Sequence, residues 1–247
     1  MNDNKVRIHR VHTPQALEPG SELAVGGKTA HYLVRVLRVQ AGQTIVLFNG
    51  DGRDYAAEVA GLDRHSIFLN ILSRLPAVRE PEIEISVVQA VSRGERMDQT
   101  LQKCTELGAA SFQPLFSERV EVRLKGSKLT RRLEHWQGVV ISACEQCGRA
   151  VVPPVYEPVG VDGLLAGSAR GLRLVLAPGA EKPLARVALQ QVVQLVIGPE
   201  GGFSGPELDL MASNGMQLVG FGPRVLRTET AAPAAVAVIQ ALAGDLR

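Results

Sequence analysis

Short apolar segments separated by turn residues make up the N-terminal third of the chain. They predict β-strands at residues 44–48, 55–59 and 66–72. The turn Asn49–Gly52 is rich in residues that tolerate positive φ angles, as tight hairpin turns require. A short helix is expected at Ala30–Val36, with Thr29 as its N-terminal cap. This pattern predicts a small β-barrel or β-sandwich.

From residue 83 onward the pattern changes to strands that alternate with helices. Further strands are predicted at residues 83–88, 172–176, 192–197 and 217–221. One helix, which ends at Gly108, carries its apolar residues on a single face, namely Met97, Leu101, Cys104 and Leu107. Other helices are expected at residues 128–147, directly after Phe203 and at 231–242. This alternation predicts an α/β fold with a mostly parallel sheet that is covered on both faces.

Two prolines, Pro76 and Pro81, lie between the two patterns and indicate a linker. We therefore predict two domains, residues 1–75 and residues 76–247. Hydrophobic residues make up 45% of the chain and charged residues 21%, which is enough apolar material to build cores. The composition excludes a chain that is disordered throughout.

The three cysteines are too few for a disulfide scaffold, so we expect a reducing compartment. The N-terminus lacks the apolar segment of a secretory signal, and no uncharged run is long enough to span a bilayer. A cytoplasmic protein without membrane partners is therefore expected. The lone pair Cys144 and Cys147 and the five scattered histidines lack metal-ligand spacing, so no metal site is predicted.

Charge and aromatic content bear on whether the partner is a nucleic acid. The net charge is only +2, and Phe, Tyr and Trp together make up 4% of the chain, which disfavours single-strand binding by stacking. The charge is unevenly distributed, however: residues 119–132 contain six basic residues and only one acidic residue, Glu121. This segment is either a solvated helix face or a surface that contacts RNA phosphates.

Two glycine-rich loops carry the strongest local signal. Gly198–Phe203 lies between a predicted strand and a helix that begins with the capping-box pair Ser204 and Glu207. Gly220–Thr230 again joins a strand to a helix start, and it contains two arginines, a glutamate and two threonines. Neither loop is a P-loop or a dinucleotide fingerprint. Because ligands bind beyond the carboxyl ends of parallel strands, the two loops predict one small-molecule pocket.

The loops and several further motifs closely resemble the RsmE family of small-subunit ribosomal RNA uridine-N3 methyltransferases, within the SPOUT superfamily. The matching segments cover nearly the whole chain: His31–Arg38, Val91–Arg96, Leu115–Arg119, Ala143–Arg149, Gly198–Gly202 and Gly222–Thr230. The resemblance implies an N-terminal PUA-like β-barrel that binds RNA and a C-terminal SPOUT domain with a deep trefoil knot. It also implies S-adenosylmethionine as cofactor, a homodimer, and 16S ribosomal RNA in an assembled or nearly assembled small subunit as the substrate.

By position, the resemblance assigns the cofactor to Leu176, Ala177, Ile197, Gly198, Glu200, Gly201, Gly202, Leu218, Gly220, Gly222, Pro223, Leu226, Thr230 and Ala231. The chemistry adds three catalytic candidates. Arg224 and Arg227 could stabilise negative charge that develops on a uridine oxygen, or bind a nearby phosphate. Glu229 is the candidate base, with a helix-capping role as the equally weighted alternative.

RNA contacts are expected from basic residues in both domains, namely Arg7, Arg10, Arg35, Arg38, Arg93, Arg119, Arg123, Lys128, Arg131 and Arg132. Two alternatives stay open. The protein could be a related SPOUT methyltransferase that acts on transfer RNA or large-subunit RNA. It could also be a non-catalytic RNA-binding assembly factor, although Glu200 and the segment Arg224–Thr230 argue against loss of activity.

Overall fold

The computed structural model describes residues 8–122, 124–167 and 170–246. The chain divides into two compact units. The first comprises Met1–Glu80 and Cys144–Val152, and the second comprises Pro81–Ala143 and Pro153–Arg247. Two residues that the sequence assigns to RNA binding, Arg7 and Arg123, lie outside the described residues.

The first unit is built on a mixed half-barrel sheet. Its strands are β1 (Arg10–His12), β2 (Glu22–Gly26), β3 (Thr44–Phe48), β4 (Asp54–Leu62) and β5 (Ser66–Leu75). The sheet order is β1-β3-β4-β5-β2, and β1 runs parallel to β3 while the other pairs are antiparallel. Alternate residues of β4 and β5 point inward, so Val59, Ile67 and Leu69 are fully buried in the core of this unit.

The helical segment of the first unit differs from its prediction. Helix α1 (Gly27–His31) begins earlier than expected, and Thr29 lies inside it instead of capping it. A π-helix (Tyr32–Val36) continues the same segment. A π-helix places one extra residue in its turn, and such turns occur frequently at functional sites.

Arg10 is engaged inside the first unit. Its guanidinium lies 3.8 Å from the ring centroid of Phe48 and forms an ion pair with Asp54 at 2.7 Å. It also donates to the backbone carbonyls of Cys144 and Arg149, at 2.5 and 2.8 Å. Only 12% of the Arg10 side chain is exposed. The structure therefore gives Arg10 a structural role, which argues against the predicted contact with RNA.

The second unit contains a six-stranded sheet in which all strands are parallel. The strands are β6 (Glu84–Ala90), β7 (Ser111–Phe116), β8 (Val159–Gly160), β9 (Leu172–Leu176), β10 (Val192–Ile197) and β11 (Gln217–Val219). The sheet order is β11-β9-β10-β6-β7-β8. The central strands β6 and β10 have several fully buried positions, including Val87, Val88 and Leu195, as expected for strands covered on both faces. The predicted parallel α/β fold is confirmed.

Five helices follow the strands of this sheet. They are α2 (Arg96–Glu106), α3 (Gly126–Cys147), α4 (Val161–Ala166), α5 (Gly205–Ser213) and α6 (Thr228–Ala243). Helix α6 begins three residues before the predicted start at Ala231. Pro233 is therefore the sixth residue of α6 instead of lying in its first turn. Because proline has no N–H, the carbonyl of Glu229 lacks its helical donor.

The strand order reverses direction between β6 and β10. The chain runs outward from β6 through β7 to β8, and it returns to place β10, β9 and β11 on the other side of β6. Such a reversal leaves a crevice beyond the carboxyl ends of the central strands, where α/β proteins bind their ligands. The loops that follow β9, β10 and β11 all lie at this edge. Among the described residues, no helix combines the length and apolar character that crossing a membrane requires.

Gly220 fixes the loop that follows β9. Its N–H donates to the carbonyl of Lys182 at 2.9 Å, and its carbonyl accepts from the N–H of Leu184 at 2.9 Å. A Cβ at residue 220 would lie 2.6 Å from the carbonyl oxygen of Ala180. Gly220 therefore allows the two backbone segments to approach closely.

We expect Gly220→Ala to lower the free energy of unfolding by about 1–3 kcal/mol, because the added methyl group forces backbone atoms apart. Chemical denaturation of the full chain measures the effect. Gly205→Ala is the matched control, since a Cβ at residue 205 has no neighbour within 4 Å. An equal stability for Gly220→Ala and the control would contradict the assigned role.

Candidate functional site: a glycine-lined cavity at the strand ends

A cavity of about 670 Å³ lies beyond the ends of β9, β10 and β11 in the second unit, a volume typical of small-molecule sites. Ten of the predicted cofactor residues line it: Leu176, Ala177, Ile197, Gly198, Glu200, Gly201, Gly202, Gly222, Leu226 and Ala231. The three catalytic candidates, Arg224, Arg227 and Glu229, line it as well. The structure thus brings the two glycine-rich loops together around one space.

The glycines of this cavity serve different purposes. Gly202 and Gly222 have φ angles of +66° and +74°, and a Cβ on either would have no neighbour within 4 Å. A side chain there would strain the backbone and extend into open space. At Gly198, by contrast, a Cβ would lie 3.2 Å from the ring of Phe203. Gly198 therefore lets this aromatic ring pack beneath the loop.

A chain of hydrogen bonds joins three elements beneath the cavity. The Nε2 of Gln89, at the end of β6, donates to Oγ1 of Thr228 at 2.7 Å. The Thr228 hydroxyl donates in turn to the carbonyl of Gly198 at 3.1 Å. Gln89 and Thr228 are both buried, so these bonds are shielded from competing water. They fix the start of α6 against the loop that follows β10.

The loop after β7 is attached to the loop after β10. Ser204 and Glu207 form a complete capping box at the start of α5, as the sequence predicts. The second carboxylate oxygen of Glu207 accepts from the backbone N–H of Glu118 at 2.8 Å. Arg119 donates to the carbonyl of Gly201 at 2.8 Å. These bonds hold both loops in a single arrangement.

Glu200 is held by donors from the loop that follows β6 and from the first residue of α2. It accepts from Nη1 of Arg96 at 2.6 Å and from the backbone N–H of Arg93 at 3.3 Å. Burial acts to raise the pKa of Glu200, but these hydrogen bonds and its own backbone N–H outweigh burial and hold that pKa below the ordinary value. The carboxylate is therefore charged and already engaged, as expected for a residue that shapes the loop.

Glu229 lies in the first turn of α6, with only 14% of its side chain exposed. Its Oε1 is 3.8 Å from Nε of Arg96, while its Oε2 is buried and has no hydrogen-bond partner among the residues that the structure describes. A buried carboxylate oxygen without a donor costs free energy unless a ligand supplies one. Arg224 and Arg227 are exposed, and both line the same cavity as Glu229.

The remaining predicted cofactor residues lie outside the cavity wall. Leu218 packs beside the core of the second unit, and Gly220 holds the loop after β9. Pro223 is exposed, and Thr230 is an exposed residue of α6 whose N–H donates to the carbonyl of Arg227. These residues support the site from behind or beside it.

Three residues of the cavity wall lie outside the loops to which the sequence analysis assigned the pocket, namely Arg96, Leu208 and Val219. Arg96 is the most consequential, because it contacts carboxylates from both glycine-rich loops. The signal in the sequence that could have indicated a role for Arg96 was its position at the end of the motif Val91–Arg96.

The predicted RNA-binding residues of the second unit have different environments. Arg93 is paired with Glu121, and Arg119 is tied to Gly201, although both side chains are exposed. Lys128 and Arg131 are exposed on the first turns of α3. Nearby, the guanidinium of Arg132 lies 5.8 Å from the ring centroid of Trp136. The surface of α3 therefore displays exposed cations, while the loops use theirs to hold the site.

In the first unit, a groove of about 340 Å³ lies between the helical segment and the turn from β4 to β5. It is lined by Gly27, Ala30, His31, Val34, Arg35, Asp63, Arg64, His65 and Ser66. Both Arg35 and Arg64 are exposed, and among the described residues neither has an ion-pair partner. Arg38 is also exposed and adopts a φ of +53°, but it lies outside the groove.

Cys104 and Cys144 are buried, and Cys147 is partly buried. Burial raises the pKa of the Cys144 thiol to about 12, so it stays protonated at neutral pH. Its sulfur lies 3.7 Å from the carbonyl oxygen of Val151. Within the part of the chain that the structure describes, no group of three or more His, Cys, Asp or Glu residues could hold a metal ion.

Comparison with known proteins identifies the family. The RNA methyltransferase domain family matches residues 79–240, and the RNA methyltransferase PUA domain family matches residues 25–72. The ribosomal RNA small subunit methyltransferase E of Buchnera aphidicola (Schizaphis graminum) is 31% identical over 98% of this chain and 99% of its own. This chain belongs to the ribosomal RNA small subunit methyltransferase E family. The resemblance to the RsmE family is thereby confirmed.

Two solved structures resemble this RsmE-family chain over its whole length. The ribosomal RNA small subunit methyltransferase E of Neisseria gonorrhoeae, bound to S-adenosylmethionine, has a TM-score of 0.93 at 36% identity and covers 97% of this chain and 100% of its own. A methyltransferase from Legionella pneumophila, in complex with the same cofactor, also has a TM-score of 0.93, at 38% identity over 98% of this chain and 100% of its own. The half-barrel and the parallel sheet are thus the fold of this family.

We expect Thr228→Val to lower the free energy of unfolding by about 1–3 kcal/mol, because it leaves Gln89 and the carbonyl of Gly198 without their shared partner. Denaturant titration measures the loss, and Thr228→Ser should retain most of the stability. Thr130→Val is the control, since the Thr130 hydroxyl is exposed and 3.5 Å from its acceptor. Equal effects of both valine substitutions would rule out the structural role of the hydrogen-bond chain.

Proposed function

We propose that the protein is an S-adenosylmethionine-dependent methyltransferase that modifies N3 of a uridine in 16S ribosomal RNA. The observation that carries the proposal is the cavity itself, in which a half-buried glutamate and two exposed arginines line a space bordered by glycines. Family membership supports the reaction class, and the names of the relatives support the small subunit as the source of the RNA.

The residues of the cavity fit S-adenosylmethionine. Gly202 and Gly222 leave space that side chains would otherwise fill. The apolar part of the wall includes Leu176, Ile197 and Leu226. Exposed backbone beside these glycines offers donors and acceptors for the polar groups of the cofactor. When bound, S-adenosylmethionine supplies a methyl group on a positively charged sulfur, which must lie in line with the accepting atom.

The side chains of the cavity account for the proton and charge changes of the reaction. Uridine N3 carries a proton, and the carboxylate of Glu229, a residue of the cavity wall, would accept it. Removing this proton develops negative charge on the uridine carbonyl oxygens. Arg224 or Arg227 would stabilise that charge, as the donors of an oxyanion hole do. The proton resides on Glu229 until solvent removes it.

Other parts of the proposal concern the setting of the reaction. The N-terminal region, residues 1–75, would hold the RNA, and residues 76–247 would carry out methyl transfer. A folded RNA surface within the small subunit suits a protein poor in aromatic residues. This substrate implies a cytoplasmic protein. The homodimer and the trefoil knot that the family resemblance implies stay predictions.

Methylation of purified small subunits with labelled S-adenosylmethionine tests the proposal, with nuclease digestion and mass spectrometry to locate the product. We expect 3-methyluridine in 16S RNA. Glu229→Gln should lower kcat by about 100-fold or more, because it removes the base, while cofactor affinity measured by calorimetry stays within about twofold of wild type. Glu106→Gln, which changes a carboxylate outside the cavity, is the matched control.

Label found only in transfer RNA or large-subunit RNA would favour a related methyltransferase, and no label in any RNA would favour an assembly factor. Full activity of Glu229→Gln would leave the enzyme assignment intact but exclude Glu229 as the base.

The groove of the first unit supports a separate prediction about RNA binding. If Arg35 and Arg64 contact phosphates, replacing each with alanine should weaken RNA binding and reduce the slope of log K against log salt by about one. Filter binding over a range of salt concentrations measures this slope. Arg74→Ala, an exposed arginine of β5, is the control. An unchanged slope for both groove variants would remove the groove from the RNA surface.

A further inference from the structure

The groove of the first unit combines an apolar lining with polar side chains from two segments. Ala30 is buried and Val34 is half-buried, and both belong to the helical segment. Val34 lies in the π-helix Tyr32–Val36, where the N–H of Leu37 donates to the carbonyl of Tyr32 at 3.0 Å. The volume of about 340 Å³ is small for a ligand pocket, so it suits a single group of the size of one nucleotide.

Four exposed side chains with planar ends line the same groove. His31 and Arg35 come from the helical segment, and Arg64 and His65 come from the turn between β4 and β5. Imidazole rings and guanidinium planes are groups on which unpaired RNA bases stack. In the part of the chain that the structure describes, neither arginine pairs with an acidic side chain, so both are available to phosphates.

Asp63 adds a carboxylate to this otherwise basic groove. Its N–H donates to the carbonyl of Ser66 at 2.8 Å, and its Oδ1 accepts from the backbone N–H of Arg64, so the turn holds the side chain in place. The carboxylate is exposed, and within the described ranges it forms no ion pair. Because a carboxylate repels phosphates, a surface that contacts only the RNA backbone does not account for Asp63. Carboxylates do accept hydrogen bonds from N–H groups on base edges.

Guanine is the base whose edge matches this carboxylate best. Its Watson–Crick edge carries two adjacent donors, N1–H and the exocyclic amino group, which match the two oxygens of a carboxylate. Uracil carries a single N–H between two carbonyl oxygens, which a carboxylate repels. We propose that the groove binds one unpaired guanine nucleotide of the RNA, with Asp63 accepting from its edge and Arg35 and Arg64 contacting the flanking phosphates.

The proposal gives the first unit a preference for a base as well as for the RNA backbone. Phosphate contacts hold RNA without distinguishing sequences, whereas contacts to a base edge determine which nucleotide occupies the groove. A guanine held by Asp63 therefore sets the register of the RNA on this unit. The proposal rests on RNA as the substrate, which is part of the proposed function, but not on methyl transfer.

Binding of short oligouridylates to the full-length protein tests the preference. The probes are labelled for fluorescence anisotropy and differ only in the central nucleotide, which is uridine, guanosine or inosine. At low salt, where phosphate contacts are strongest, the guanosine probe should bind about tenfold more tightly than the uridine probe. The inosine probe should fall between them, since inosine keeps N1–H but lacks the exocyclic amino group.

Three variants separate base recognition from phosphate contacts. Asp63→Asn keeps an oxygen for the N–H of Arg64 but places an amide donor against the donors of guanine, so the preference for guanosine should fall to about twofold or less. Affinity for the uridine probe should not fall. Arg64→Ala should weaken binding of all probes alike and keep the preference. Glu22→Gln, which changes an exposed carboxylate of β2 outside the groove, is the matched control and should keep both affinities.

Equal affinity of the wild-type protein for the guanosine and uridine probes would overturn the proposal, as would the absence of binding to every probe. A preference that persists in Asp63→Asn would overturn it too, because guanine would then be recognised elsewhere. Failure of the proposed function is a different result: a protein that methylates no small-subunit RNA but shows a preference for guanosine that depends on Asp63 would keep the groove as a nucleotide site.

Discussion

The hydrogen bonds from Gln89 through Thr228 to Gly198 determine the geometry of the whole site. They join the end of a central strand, the start of the last helix and the loop after β10; Gln89 and Thr228 are 139 positions apart in sequence, and Thr228 and Gly198 are 30 apart. Because these groups are buried, none of them can exchange its partner for water without a cost in free energy. The glycines of the cavity can adopt unusual conformations because this framework holds the backbone on either side of them.

Local patterns in the sequence were sufficient to predict most of the scaffold. The strands at 44–48, 172–176 and 192–197 have the predicted bounds, since apolar runs between turn residues identify buried strands well. The sequence analysis did not predict β7, because Pro114 interrupts its apolar pattern. It also did not predict β1, which is only three residues long. The predicted start of α6 was three residues too late, because Thr228, Glu229 and Thr230 have polar side chains that do not continue the apolar pattern of the helix.

The site itself was only partly predictable, because residue type does not reveal environment. Two arginines illustrate this. Arg10 is mostly buried and lies over the ring of Phe48, whereas Arg96 contacts the carboxylates of Glu200 and Glu229. Arg96 and Glu200 are 104 residues apart, so no local pattern could indicate their contact. The glycine-rich loops were predictable because their conformation restricts the residue type at each position.

Pro233 has a mechanical consequence for the site. The carbonyl of Glu229 receives no hydrogen bond from position 233, so the first turn of α6 is joined to the rest of the helix by one bond fewer. Gln89 anchors that turn from outside instead. The turn that bears Thr228 and Glu229 is thus held mainly by hydrogen bonds to β6 and to the loop after β10, while the buried residues Ala235, Val236 and Ile239 keep the helix body packed. Because of the proline, the position of Glu229 depends more on these tertiary hydrogen bonds and less on the helix itself.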